Sequence, residues 1–544
     1  MAFPCGSGAR GRERGPAFFR IAGTLITLGS VTLAACASLP KTRTVQPSFA
    51  LTDTAETRLG RAAAMRMSEL QGASSGIHLM PRGPDAFLAR LALVETADKS
   101  LDLQYFLWHP DTVGKLLLAA VLRAADRGVR VRILIDDIGS LPKDENLLVI
   151  DQHPNIEVRL FNPAASRSAR SLWVLTDFSR VNRRMHNKSF TADNRMAIVG
   201  GRNIGDEYFE ASTTLDYGDL DALVIGSAVS DVSAQFDRYW NSPVVYGIGE
   251  LHKHRPTSED SARIAESLRE FENSQRGQGY AQAMRDSLIA QEILAGRVVY
   301  NPAAISVKAD DPIKVAQPRA DPSKNLMPQL APAFSEVSDR LILVSPYFVP
   351  RKAGVQLLRD VRARGVRVTV VTNGLGSTDV PPVFAKYKKY RRPLLEAGVE
   401  LYEVNPAAGR NGPTKSIDTA HGGKAPGTAH PHTALHGKIL VFDCREFFVG
   451  SMNLDPRSAR INTEVGLLVD ASDVARQLCG GLDEVFELRA YRLELRKTPD
   501  GGTRIEWIRV DQGCEERLTG EPGTSCWQRF KSWLYSLLPI ESQL

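Results

Sequence analysis

Apolar positions recur every three to four residues over 84–99 and 114–127, which predicts two helices. Residues 101–108 read as a strand and 129–138 as a buried strand. The same order returns later: a helical pattern at 328–340, a strand at 341–349, a helix at 354–364 and a strand at 366–373. Helices alternating with strands imply right-handed crossovers and a mostly parallel or mixed sheet, an α/β class. Leu101–Trp108 has its counterpart in Leu341–Phe348, Gly128–Val131 in Gly365–Val368, and Asn155–Val158 in Gly398–Leu401. Recurrence in the same order means two copies of one domain.

The spaces around the copies divide the chain further. Residues 76–250 and 327–490 are the two halves, and 251–326, charged and weakly helical, is a predicted surface insertion. Residues 407–433, rich in Gly, Pro, Thr and His, read as a loop. Residues 491–544 form an extension in which Trp527, Phe530, Trp533, Leu534, Leu537 and Leu538 have helical spacing, fit either for a membrane surface or for docking on the core. At the other end, Arg10, Arg12, Arg14 and Arg20 precede an apolar run from Ile21 to Ala35, too short for a comfortable membrane span. That reads as a signal peptide over 1–35 and a polar tether over 36–75. Leu33-Ala34-Ala35-Cys36 resembles the bacterial lipoprotein box, with Cys36 as the lipidation site and the membrane as partner through that anchor. Ala37 follows the pattern of outer-membrane lipoproteins, so the expected location is the cell envelope, facing the periplasm.

Charge changes the picture little. Of the net +6, residues 1–35 carry +3, which leaves no bulk basic surface, and no nucleic-acid partner is expected. No CxxC pair is present, so a structural zinc site is not expected. Cys514 and Cys526 could pair in an oxidising compartment; free buried thiols are the alternative. His421, His430 and His432 read as a solvated tract, and carboxylates near the motifs described next do not cluster as a cation would demand, so neither metal nor cofactor is expected.

The chemistry lies in a repeated motif. His186-Asn187-Lys188, Asp193 and Gly200-Gly201-Arg202-Asn203 match His436-Gly437-Lys438, Asp443 and Gly450-Ser451-Met452-Asn453 at identical spacing. In a strand, positions i and i+2 share a face, so each histidine and lysine project side by side. The stretches after Asp193 and Asp443 look like hairpin turns, whose return brings the small residues, Gly201 and Ser451 among them, beside the histidines. Backbone amides there can donate to an anion. Two copies meeting about a pseudo-two-fold axis would gather two imidazoles, two ammoniums and two amides around one phosphate. Asp193 and Asp443 are either catalytic or turn-capping.

The paired motifs are identified as the signature of the phospholipase D superfamily. The strings Asn182–Phe190 and Ile198–Phe209, with Glu521–Ser525 and Leu538–Glu541, resemble the cardiolipin-synthase branch. The resemblance implies two α/β/α sandwich halves and a metal-free phosphatidyltransferase or phosphodiesterase acting on membrane phospholipids. It implies that His186 attacks phosphorus to form a phosphohistidine and that His436 is the acid and base. Lys188, Lys438, Asn203 and Asn453 would hold the non-bridging oxygens. Glu464 sits where the family places a carboxylate that orients a histidine; Thr214 occupies that spacing in the first copy, so Asp219 or Asp221 takes the role there. Phospholipase D hydrolysis and endonuclease activity share these motifs, and a non-enzymatic scaffold is a third reading. Lys386–Arg392 interleaves cations and tyrosines, either a headgroup-binding patch or a solvated helix face.

Overall fold

The computed structural model describes residues 39–40, 43–138, 144–165, 167, 177–212, 215–252, 255–316, 322–407, 432–511 and 514–544. Cys36 and the whole 1–35 segment, Ala37, Thr214, His421 and His430 lie outside them, as does most of the expected 407–433 loop.

The first half carries β1 (Ser75–Met80), β2 (Ser100–Tyr105), β3 (Arg130–Asp136), β4 (Ile156–Phe161), β5 (Ser189–Ala192), β6 (Met196–Gly200), β7 (Leu215–Gly218), β8 (Asp221–Gly226) and β9 (Val245–Gly247). The second carries β10 (Asn301–Ala309), β11 (Arg340–Val344), β12 (Arg367–Asn373), β13 (Glu400–Val404), β14 (His432–Leu435), β15 (Ile439–Phe442), β16 (Glu446–Gly450) and β17 (Val465–Asp470). A closing meander adds β18 (Ala490–Lys497), β19 (Thr503–Asp511) and β20 (Cys514–Leu518).

Pairing runs β9-β4-β3-β2-β5-β6-β8-β1 through the first half. It continues β10-β17-β16-β15-β11-β12-β13-β18-β19-β20 through the second, joined to the first where β1 meets β10. The two orders match strand for strand, which confirms the repeat. In each half three parallel strands (β2–β4, β11–β13) are flanked by antiparallel ones, the mixed sheet expected.

In the first half β2, β3 and β4 turn Leu101, Leu103, Val131, Ile133 and Val158 to the helical layer, while the alternate positions Asp102, Gln104, Arg132 and Arg159 are buried polar groups on the other face. Helices Gly83–Thr96 and Thr112–Asp126 pack one face of the first sheet; Arg351–Ala363 and its neighbours pack the second. Between the halves lies a shared core of Ile77, Val199, Val224, Ile342, Val441 and Val469. The expected hairpins β5–β6 and β15–β16 form, and their turns place Asp193, Asn194, Asp443 and Cys444 at φ between 46° and 54°. In each three-residue loop the two positive-φ residues are the centre of a turn closed by a backbone bond at 3.0 Å, Arg195 N to Ala192 O and Arg445 N to Phe442 O.

Four expectations change. Residues 36–75 are not a free tether: Ser48 accepts from Arg132 and from Trp240, Ala50 donates to Asp237, and helix Arg58–Glu69 buries Leu59 and Ala63. Residues 251–326 are not a surface insertion, since Tyr280, Ile289 and Ile293 join the first core and 301–309 is the strand that links the sheets. The second half therefore begins with β10 rather than at 327. The extension over 491–544 is not only helical, because β18–β20 continue the sheet. Cys514 and Cys526 are exposed and unpaired, whereas Cys444 and Cys479 form a disulfide between the second hairpin turn and helix Ser472–Arg489.

Candidate active site

His186 and Lys188 sit in the extended segment that leads into β5, and His436 and Lys438 in the one leading into β15, just outside the ladders in which alternation had placed them. The last residue of the neighbouring parallel strand fixes each segment. Asp136 Oδ2 accepts from the backbone of Met185 at 2.8 Å, and Asn373 makes both amide contacts to Leu435, at 2.9 and 3.0 Å.

Each segment then pairs with the opposite half. His186 N donates to Thr463 O and Thr463 N to Arg184 O, at 2.8 and 2.9 Å. Correspondingly, β14 runs parallel to β7, and His436 N donates to Gly218 O at 2.8 Å. The residue after each pairing partner is a carboxylate: Glu464 after Thr463, Asp219 after Gly218. Consequently His186 Nδ1 donates to Glu464 Oε2 at 2.8 Å and His436 Nδ1 to Asp219 Oδ2 at 2.6 Å. Each imidazole takes its orienting carboxylate from the other half. Asp221, the other residue considered for this role, is instead paired with Arg90 at 2.9 Å.

All four functional side chains are buried. Burial, with the two lysines adding to it against the pull of Glu464, lowers the His186 pKa to about 4; burial and the same lysines lower that of His436 to about 4, against Asp219. Burial also drives Lys188 well below the ordinary lysine value and Lys438 to about 8. Burial alone would raise both carboxylates, but His186 and Lys188 hold Glu464 below the usual range, and His436, Lys438 and Arg202 do so for Asp219. At neutral pH the site therefore holds neutral imidazoles whose Nδ1–H faces an anion, leaving Nε2 with its lone pair. Each lysine ammonium donates to the backbone oxygen of its own histidine, Lys188 at 2.6 Å.

The remaining expected residues divide. Ser451 Oγ donates to Glu464 at 2.5 Å, and a Cβ on Gly201 would stand 2.3 Å from Asp219 Oδ1, so the two small residues serve the two carboxylates. Asn453 keeps a buried Oδ1 without a partner among the described residues. Asn203 does not: its Oδ1 accepts from Leu107 N at 3.2 Å and its Nδ2 donates to Tyr208 at 2.9 Å, so the expected hold on phosphate is occupied by protein. Asp193 and Asp443 are turn-capping rather than catalytic. Asp193 accepts from the amides of Asp98, Lys99 and Ser100, and Asp443 from those of Ser338, Asp339 and Arg340.

Sequence reasoning missed Asp136, Asn373 and Ser458, whose Oγ donates to Glu464 at 2.7 Å. It also missed the rings beside the imidazoles, Phe106 at 5.2 Å from His186 and Tyr217 at 4.9 Å from His436. Alignment of the repeats, which sets Asp136 against Asn373, was the available signal for the first two. Lys386–Arg392 has the solvated face expected as one alternative, with Lys388, Lys389 and Arg392 exposed and Tyr387 and Tyr390 packed beneath, but Lys386 and Arg391 are buried. Arg391 is buried against Glu403 and Glu521, and Lys389 pairs with Glu541. Among the described residues His109, Asp111 and Glu207 bring three possible metal donors within 4.8 Å of one another, with Asp111 already capping a helix by accepting from Gly114 N.

Residues 91–240 and 330–485 match the family model described as cardiolipin synthase, PLD-like domain. The chain is 38% identical over 485 residues to cardiolipin synthase C of Escherichia coli (strain K12), covering 89% of this chain and 99% of that one. It is 25% identical over 433 residues to cardiolipin synthase A of Pseudomonas putida (79% and 71% covered). Among solved structures, phosphatidylserine synthase from Haemophilus influenzae Rd KW20 shares the fold, with a TM-score of 0.51 at 14% identity over 80% of this chain and 92% of that one.

Proposed function

The chain belongs to the cardiolipin synthase, PLD-like domain family, and from that premise we propose that it is a phospholipase-D-type phosphatidyltransferase that moves a phosphatidyl group onto the hydroxyl of phosphatidylglycerol. The observation that carries the reading is the crossed pair of carboxylate–histidine contacts, Glu464 on His186 and Asp219 on His436.

Nε2 of His186 attacks phosphorus, the bond from phosphorus to the headgroup oxygen breaks, and His436 protonates the departing alcohol. His436 then takes the proton of the acceptor hydroxyl, whose oxygen attacks phosphorus and releases His186. The entering phosphodiester carries a negative charge, which draws the imidazole pKa values back up from about 4 and lets His436 act as an acid near neutrality. Lys188, Lys438 and the Nδ2–H group of Asn453 are the donors available to the charge that develops on the non-bridging oxygens. Water in place of the acceptor gives phospholipase D hydrolysis from the same intermediate.

The Cys444–Cys479 disulfide supports a location in an oxidising compartment, consistent with export and a lipid anchor at Cys36 facing the periplasm. Cys36→Ala is expected to leave the protein unprocessed or mislocalised. The reaction is tested by lipid analysis of a cardiolipin-deficient bacterium expressing the chain or its His186→Ala variant. Cardiolipin with the parent alone supports transfer; phosphatidate without cardiolipin would make the chain a hydrolase. Activity in detergent is expected to survive EDTA, and loss restored by one divalent ion would point to His109, Asp111 and Glu207.

A further inference from the structure

Helix Cys526–Leu537 is mounted with its apolar side outward. It is a well-formed helix: Ser525 and Gln528 make a capping box at its start. Its one buried residue is Ser532, while Trp527, Phe530, Trp533, Leu534, Leu537 and the following Leu538 are exposed, Trp527 at 63% and Leu537 at 60%. At about 100° per residue these six positions fan over one side of the helix, almost diametrically opposite Ser532. An ordinary surface helix does the reverse and turns its apolar stripe to the core.

The mounting is held by polar contacts that prevent the face from rolling inward. The helix lies along Pro381–Tyr387, whose Lys386 donates to Ser536 O at 2.8 Å and also to Leu538 O. Arg529 reaches back to Thr524 Oγ1 at 2.9 Å and Glu521 O at 3.2 Å. The outward rings form a continuous strip, with Trp527 and Phe530 centroids 5.6 Å apart and Phe530 and Trp533 5.8 Å apart.

Residues 526–540 contain Arg529 and Lys531 and no acidic side chain. Tryptophan prefers the headgroup level of a bilayer, and cations beside an apolar helix face draw it to anionic lipid. No helix among the described residues is long and apolar enough to cross a membrane, so the contact is with the interface. We propose that this face is a membrane-docking surface that seats the protein on a bilayer of anionic phospholipid, with Trp527, Phe530 and Trp533 in the interfacial layer. The proposal rests on the phospholipid reading of the active site and adds how the substrate is reached. Beyond the helix the chain arrives at Glu541, which binds Lys389 and Tyr390 at the rim of a cavity of about 590 Å³. Phe348, Leu454 and Asp455 line the same cavity.

The test is fluorescence of the full chain on vesicles of phosphatidylglycerol with brominated acyl chains. Trp108, Trp240 and Trp507 are buried, and Trp173, outside the described residues, is replaced in every test protein by Trp173→Phe, so quenching reads Trp527 and Trp533 in place of attachment by any other segment. Quenching in the parent is expected, with a loss of about tenfold or more in lipid partitioning for Phe530→Ser/Leu534→Ser/Leu537→Ser, which keeps both reporting tryptophans. Arg529→Glu/Lys531→Glu is expected to weaken it further at low salt. Turnover of a short-chain, water-soluble phospholipid stays at the parent rate in the triple variant, so failure of the surface and failure of the catalytic reading are separable. An unquenched parent overturns the proposal. So does tryptophan shielding without lipid that grows with protein concentration, which would give the face to a second copy of the chain.

Discussion

Around His186, the orienting carboxylate Glu464 is itself bound by two hydroxyls, Ser451 at 2.5 Å and Ser458 at 2.7 Å. Around His436, Asp219 faces the bare backbone of Gly201 and receives Leu220 N at 2.8 Å. The asparagines differ in the opposite sense, with Asn203 spent on protein and Asn453 open. One motif, copied at the same spacing, has thus become two environments. On the Glu464 side the hydroxyl bonds fix an anion behind His186, the histidine proposed above as the nucleophile. On the Asp219 side a shorter carboxylate with fewer donors leaves the proton of His436 easier to exchange. Identical signatures specify the reacting atoms; the residues around them divide the labour.

The sharpest break of that comparison is to remove each imidazole. His186→Asn is expected to abolish the covalent adduct, whereas His436→Asn, given a phosphodiester with a good leaving group, should accumulate it on His186. Both should lose at least about 10⁴-fold in turnover of natural lipid. Acid-quenched mass spectrometry reads the site, and an adduct on His436 would exchange the assignments. Next come the carboxylates. Glu464→Gln and Asp219→Asn should each lose about 10²-fold in kcat. In the parent, kcat/KM should fall on the acid side through about pH 4, where His186 of the free enzyme protonates, rather than near the ordinary value of about 6.5. An acid limb near 6.5 would contradict the burial of the site.

A smaller and more diagnostic difference is expected one shell out. Gly201→Ala forces a Cβ to within 2.3 Å of Asp219 and should cost about tenfold or more in kcat, with KM little changed. Ser451→Ala only removes one of the hydroxyls on Glu464 and should cost less. Equal losses would mean that the carboxylates are held alike. Smallest in activity are the turn aspartates. Asp193→Ala strips the acceptor from three amides in the core and should lower stability by about 3 kcal/mol, with kcat per folded molecule retained. Asp443→Ala, partly open to water, should lower it by about 1 kcal/mol. Although burial opposes it, the amides of Arg340, Asp339 and Ser338 hold the Asp443 carboxyl below its ordinary range. Its stabilising share is therefore complete above pH ~4 and fades as pH falls through the lowered value. Denaturant midpoints against pH check both.

Much of this was legible beforehand for a physical reason. A strand with a covered face shows in the sequence, so β2 and β3 were visible by their alternating apolar positions and β11 and β12 as largely apolar runs. The histidines and lysines stood at spacings that a repeat makes conspicuous, whereas Glu464, matched by Thr214 in the first copy, came from the family resemblance. What depends on partners far along the chain stayed hidden. Ser48 and Ala50 look like tether because their contacts are polar and lie more than 80 residues away. The competition between Asp219 and Asp221 turned on Arg90, which no local pattern links to either. Asn203 and Asn453 read identically in sequence, and they are separated by contacts no local pattern shows, Leu107 N on Asn203 Oδ1 and Tyr208 on its Nδ2.

The crossing of carboxylates between the halves also bears on how the chain comes to be active. During synthesis the first half emerges with His186 and Lys188 in place, yet the carboxylate for His186 lies at residue 464, within the last fifth of the sequence. Until the second half has folded against the first, that imidazole has no anion behind it, and its partner acid is absent as well. The nascent chain is therefore latent. Under the proposed mechanism, completion of the fold is what assembles the active site.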